Sequence, residues 1–387
     1  MNTKLAAAFL SLTLCLSVPV LAAAPLAPRD QKQADDEAKQ GEAASTAVNK
    51  EAKLVTDPAV LLRVNTIGQK LAAIANSDQI PALFGSDKVY PFKWHFFVIE
   101  DKDVNAFSLP GGYVYVNSGL LKMVRSDDEL AGVLAHEITH SEHHHLQALS
   151  HEQSKMTTEM MGILLAALVA HVNSRDLANV AAGTQYAQMG ILNTRYSQAA
   201  ERDADHGGTI FMTKAGYNPV GMLTFMQLLQ QIGDRGPKVE LGILQDHPLT
   251  PERVAAITAL LTELHVAVTP QAVREATGAP RATVHQAVGG GEEIEYAGKT
   301  LPALSDPDDV RAKAAIIQFN ALLDTGLSLY QISSNGSQVL VSNRPIITMT
   351  QADATLHPGA TPETLARLAA DALRGGLYSQ TFRRSSL

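Results

Sequence analysis

One cysteine occurs in 387 residues, and it sits at Cys15 inside an apolar N-terminal stretch. That scarcity excludes a disulfide framework. If the N-terminal stretch is cut off it also excludes a thiolate metal site, so any metal must be held by His, Asp or Glu. A surplus of positive charge is also missing: Lys+Arg number 31 against 39 Asp+Glu, for a net charge of -8. Nucleic acid is therefore not an expected partner. Beyond the N-terminus, the strongest apolar run is Met160 to Ala170, about half of the roughly 20 residues that cross a bilayer. It reads as a buried helix, with a lid over a site or a membrane-touching helix as the functional alternatives. No internal repeat recurs at a spacing of about 20–50 residues.

What is present is enough to fold. The chain is 45% hydrophobic and 18% charged, which suits a globular protein with a sizeable core, and its length suits about two domains. The first residues have the layout of a secretory signal. Lys4 precedes an apolar stretch from Leu5 to Leu21, and the small residues Ala22, Ala23 and Ala24 stand before Pro25. Residues 1–24 are thus expected to be removed on export to a periplasm. A membrane anchor is disfavoured because the run is short and holds Pro19. Lipidation of Cys15 is disfavoured because Leu14 precedes it.

Residues 25–53 are rich in Ala, Gln, Glu and Lys without a fixed apolar period, and read as a solvated linker or exposed helix. Val60, Leu61, Val64, Ile67 and Leu71 recur at helical spacing. Phe96 to Ile99 reads as a short strand, Gly111-Gly112 as a turn, and Tyr113 to Val116 as an alternating strand. Ser126 and Glu129 form a capping-box signature that opens a helix with Leu130, Val133, Leu134 and Ile138 as its apolar stripe. A further helix follows through Arg195 to Thr213. Residues 269–300, with the run Gly289 to Gly291, read as a linker, and residues 301–387 as a small α+β module containing an Asn335-Gly336 turn.

The chemistry lies at His136-Glu137-Ile138-Thr139-His140, H-E-x-x-H on a predicted helix. Residues four apart share a helical face, so both imidazoles can point at one ion, and Glu137 can take a proton from water there. A hydrolytic zinc site needs a third protein ligand. The segment "YSQAAERDADHGG" offers Glu201 for that role, with Asp205 one turn on to accept the free ring N–H of a ligand histidine.

Five ordered blocks, "VNAFSLPGGYVYVNSGLL", "ELAGVLAHEITH", "YSQAAERDADHGG", "AGYNP" and "HPLTPERV", resemble the HtpX-like and CAAX-prenyl-endopeptidase family of zinc metallopeptidases, in particular its soluble periplasmic members. The resemblance covers residues 95–260. It implies an α+β, mainly helical gluzincin-like domain with a small β-sheet, here residues 54–268. It implies one zinc held by His136, His140 and Glu201, with Glu137 as catalytic base. The polypeptide substrates would be unfolded or envelope proteins, with no further small-molecule cofactor. Unlike integral members the chain lacks transmembrane helices, and it shows no C-terminal tetratricopeptide repeats, so docking through such repeats is not carried over.

His247 has two readings. It can be a helix-capping residue with Arg253 as an ion-pair partner. Alternatively it acts in catalysis, stabilising an oxyanion or ligating zinc and keeping the enzyme latent. Residues Asn105, Gly111, Gly112, Tyr113 and Tyr115 have a substrate-binding reading, in which a peptide adds to an exposed strand edge, and an ordinary core-strand reading. His143 and His144 are expected near the metal-facing side but not as ligands, and His145 to pack or hydrogen-bond beneath the site. A zinc-containing chaperone or scaffold with a latent site is the alternative function. The C-terminal module could also target the peptidase to a membrane or cell-wall partner, which leaves peripheral membrane contact open.

Overall fold

A computed structural model describes residues 26–152, 197–233, 242–243, 247, 249–305 and 309–382. The N-terminal stretch with Cys15 and the segment Met160 to Ala170 lie outside the described residues. The described chain is α+β and mainly helical, with three small sheets of three strands each. Among the described residues no helix is long and apolar enough to cross a membrane.

The larger core forms around helix α4 (Asp127–Glu142). Ser126 caps it by accepting the Glu129 N–H, and three acidic residues in its first turn complement the helix dipole. The Glu129 carboxylate does not return to Ser126. It takes the Arg125 N–H at 2.7 Å and the Thr224 hydroxyl at 2.9 Å, tying the helix start to its neighbour. Every residue from Glu129 to Glu142 is buried, so this helix is enclosed on all sides rather than along one stripe. Around it pack α2 (Pro58–Ala75), α6 (Gln198–Lys214) and α7 (Val220–Gly233).

The first sheet has strands β1 (His95–Ile99), β2 (Ala106–Leu109) and β3 (Tyr113–Asn117) in the order β1-β3-β2. β3 pairs in parallel with β1 and antiparallel with β2. The open-edge reading of Tyr113 to Val116 does not match this pairing: both sides of β3 are hydrogen-bonded, and β1 and β2 are the outer strands. Tyr115 is fully buried, stacked between Phe97 and Phe107, with its hydroxyl 2.7 Å from Ser45 Oγ. Gly111 lies under Ala38, and Gly112 under Phe92 and Lys93. Tyr113 is half-buried and stacks on His95. The buried Asn105 takes the Ala106 N–H on its own Oδ1 and so shapes the start of β2. None of these five needs a substrate to account for its place.

Residues Pro28–Glu51 form one helix, α1, and it is not solvated all round. Ala34, Glu37, Gly41, Ala44 and Val48 are buried at alternating spacings of three and four, with Ser45 beside them, and Ala44 and Val48 pack on the outer face of the sheet. The contact face is made of small residues, which an apolar-periodicity reading passes over. Gly41 is required: a Cβ there would overlap the Pro110 carbonyl.

A second core holds the C-terminal part. Its first sheet, β4 (Thr283–Gln286), β5 (Glu292–Tyr296) and β6 (Lys299–Thr300), lies within residues read as a linker. Gly290 and Gly291, both at positive φ, turn the chain between β4 and β5, while Ile294 and Tyr296 enter the core. The glycine run is a hairpin loop; of the glutamates after it Glu295 is exposed, Glu293 is half-buried and Glu292 is buried at the start of β5. Helix α10 (Val310–Leu323), strands β7 (Ile332–Asn335), β8 (Gln338–Val341) and β9 (Arg344–Thr348), and the long helix α12 (Pro362–Phe382) complete the module.

Candidate metal centre

His136 and His140 stand one turn apart on α4, and their Nε2 atoms lie 3.1 Å from each other. α6 crosses against this helix. Gly207 and Gly208 make the close crossing possible: a Cβ on Gly208 would lie 3.0 Å from the His136 backbone nitrogen, and one on Gly207 would lie 2.6 Å from Thr139 Cγ2. The crossing brings Glu201 to the pair, with Oε2 3.5 Å from His136 Nε2 and Oε1 3.4 Å from His140 Nε2. His247 enters from the other side. Its Nδ1 is 3.2 Å from His136 Nε2 and 2.9 Å from Glu201 Oε1, and its Nε2 is 3.4 Å from Glu137 Oε1. All five residues are buried.

The donor set can be tested for a metal. In a tetrahedral shell with bonds of about 2.0–2.1 Å, neighbouring donors stand about 3.3 Å apart. The nitrogen and oxygen separations of 2.9–3.5 Å among His136, His140, Glu201 and His247 cluster around that value. Two imidazole nitrogens facing each other at 3.1 Å, both beside a carboxylate, suit a shared cation. The residues fit zinc, and this chemistry contains no thiolate.

The surroundings hold the set in place. Asp205 Oδ1 is 3.1 Å from His136 Nδ1, the nitrogen turned away from the cluster. Arg253, from helix α8 (Pro251–Glu263), reaches Asp205 twice at 2.7 Å and lies 2.7 Å from Glu201 Oε2. Burial would raise the Glu201 and Asp205 carboxyls. The cations outweigh it and lower both, His247 and then Arg253 for Glu201, Arg253 for Asp205. Burial disfavours a charged His136, yet hydrogen bonds with Asp205 and Glu201 raise its pKa to about 10. Glu137 moves the other way: burial raises it, only partly offset by His247 and His136. An apolar recess lined by Val133, Met222, Phe225, Met226 and Leu229 opens beside Glu137 and His247.

The three histidines after the motif leave the metal-facing side. α4 ends at Glu142, and His144 adopts a left-handed conformation, φ 54°. The turn sends His144 to Glu37 on α1, 2.8 Å away, and to the Lys88 carbonyl at 2.9 Å. It returns His145 beneath His140, Nδ1 to Nδ1 at 2.8 Å. Placing His143 and His144 by helical spacing assumed a helix that the structure ends. Asp203 was not singled out from the sequence, although it stands between Glu201 and Asp205. It is fully buried against His143 and His145.

Fold and donor set are those of the metallopeptidase class. Residues 62–261, just over half of the chain, match Peptidase family M48, and the chain belongs to that family. It is 29% identical over 225 residues to the Beta-barrel assembly-enhancing protease of Yersinia pestis, covering 57% of this chain and 43% of that protein. It is 32% identical over 212 residues to the protein of that name from Escherichia coli (strain K12), covering 53% and 39%. It is 31% identical over 174 residues to Mitochondrial metalloendopeptidase OMA1 of Schizosaccharomyces pombe, covering 45% and 48%. The chain spans less than half the length of these curated relatives.

Proposed function

We propose that this protein is an exported zinc-dependent endopeptidase that cuts unfolded or envelope polypeptides. The observation that carries the reading is the donor set itself. His136 Nε2, His140 Nε2 and Glu201 converge at tetrahedral spacing, with Glu137 on the same helix beside them. A zinc ion held there supplies Lewis acidity toward a carbonyl oxygen and toward water.

Glu137 is the base that accepts a proton from the attacking water and hands it to the leaving amine. Its burial lifts the carboxyl toward the pH range in which one group can do both. Asp205 holds His136 in the tautomer that leaves Nε2 free, and Arg253 keeps Asp205 and Glu201 ionised. The apolar recess takes an apolar substrate side chain next to the bond to be cut. Export, and with it a periplasmic setting, rests on the layout of residues 1–24.

His247 favours a second layer to this reading, latency. With its Nδ1 in the donor set, four protein atoms surround one point, the closed arrangement of structural zinc sites. Were zinc held by all four, His247 would fill the position that water needs; its Nε2 also lies 3.4 Å from Glu137 Oε1. Cutting requires His247 to leave. The decisive experiment compares wild type with Glu137→Gln on an unfolded protein while zinc content is measured. Loss of cutting with zinc retained supports the peptidase. Equal cutting by the variant removes Glu137 as base, and absence of zinc from wild type removes the metal site.

A further inference from the structure

His140 Nε2 faces the donor set, so its other nitrogen decides whether that lone pair is available. Ligand histidines commonly place this second nitrogen on a carbonyl or carboxylate. Here it meets another histidine, His145, at 2.8 Å, Nδ1 to Nδ1. The opposite nitrogen of His145 lies 2.7 Å from Asp203 Oδ2. Asp203 is fully buried, and its oxygens also take the His143 Nδ1–H and the Leu83 backbone N–H.

The proton positions follow from which atoms can donate. A carboxylate can only accept, so His145 Nε2 carries the hydrogen that points at Asp203. In a neutral ring His145 Nδ1 then has a lone pair and accepts. His140 Nδ1 must therefore carry the hydrogen between the two rings, which leaves the His140 Nε2 lone pair facing the donor set. The opposite assignment would turn an N–H toward His136 Nε2 and Glu201.

His143, His145 and Asp203 also have the composition of a second metal site. Their spacing argues against it. Nitrogen and oxygen stand 2.7 Å apart for His145 and closer for His143, the spacing of hydrogen bonds rather than the roughly 3.3 Å between ligands of one zinc.

Backbone geometry makes the chain of contacts possible. Residues five apart on a continuous helix point in different directions. The left-handed turn at His144 folds His145 back under His140. Asp203, two residues beyond Glu201 on α6, then meets it from the neighbouring helix.

We propose that Asp203, acting through His145, sets the tautomer and ring orientation of His140, so that both are positioning residues for metal binding. The proposal rests on His140 being a zinc ligand. One aspartate of "ERDAD" thus supports His136 directly, and the other supports His140 through one intervening ring.

The test measures zinc affinity by chelator competition and the His140 tautomer by nitrogen NMR of the zinc-depleted protein. Wild type is expected to show His140 protonated at Nδ1. Asp203→Asn and His145→Leu should each weaken zinc about 10–100-fold. His145→Gln, whose side-chain carbonyl can still accept from His140, should recover much of the loss. That pair carries the test if Asp203→Asn fails to fold. Wild-type affinity in both Asp203→Asn and His145→Leu, or equal losses in His145→Leu and His145→Gln, overturns the proposal while leaving the zinc site standing. A wild type that binds no zinc, or a His140→Ala variant that binds it unchanged, overturns the zinc-ligand reading instead.

Discussion

Arg253 clasps Asp205 through two parallel contacts, Nε to Oδ2 and Nη2 to Oδ1, both at 2.7 Å and both buried. The remaining nitrogen, Nη1, lies 2.7 Å from Glu201. One guanidinium thus bridges two carboxylates that would otherwise repel each other inside the protein. The forked donor geometry matters, since a lysine is a single point charge and cannot span both.

Arg253→Leu is therefore expected to destabilise the protein by about 3–5 kcal/mol, because two carboxylates would stay buried without their cation. Urea unfolding of the purified protein measures this. A midpoint equal to wild type would show that the carboxylates do not depend on Arg253.

His247→Ala should release the fourth donor position. Cleavage of an unfolded protein is expected to rise about tenfold, the effect of lifting a bias of about 1.4 kcal/mol toward the closed state. Zinc should remain, held by His136, His140 and Glu201. A fall in cleavage would instead make His247 a group that the reaction needs.

The seat of α1 depends on Gly41. Replacing it with Val should cost about 1–3 kcal/mol, because the new side chain meets the Pro110 carbonyl and the helix must shift. Limited proteolysis within residues 28–51 should become faster. Unchanged cleavage would mean that α1 is held by other contacts.

The C-terminal module contains a pH-sensitive anchor. Burial would raise the Asp353 carboxyl, but Arg311 together with the Thr350 and Ser305 N–H groups brings its pKa down to about 2. A depressed folded pKa stabilises above the unfolded value of about 3.9, and the stabilisation is lost as pH falls through about 2. Asp353→Asn should lower stability at neutral pH by about 1.5–3 kcal/mol. The difference from wild type should shrink between about pH 4 and 2. Thermal melts across that range test it, and a difference that does not change with pH would exclude the linkage.

Much of the centre could be read before folding. H-E-x-x-H and the Glu201–Asp205 pair each lie within one helix, where 3.6 residues per turn sets which side chains share a face. The α+β class and the main helices were legible for the same reason, since apolar spacing reports burial of a long regular element. The α1 contact was not legible, because its face is mostly Ala, Gly and Ser, with Val48 its one large apolar residue. The β4–β6 sheet was hidden by the glycine run and the glutamates around it.

What the sequence by itself determined are relations fixed by local backbone geometry: His136, Glu137 and His140 on one helix, and Glu201 and Asp205 on another. Only the tertiary structure decided relations between segments far apart in the chain. It put His247 into the donor set, closed both sides of β3, and placed Asp203 beneath His145. It also ended α4 at Glu142, so that the later histidines left the metal-facing side. Those outcomes depend on which surfaces pack together, and packing is a property of the whole chain that no short spacing encodes.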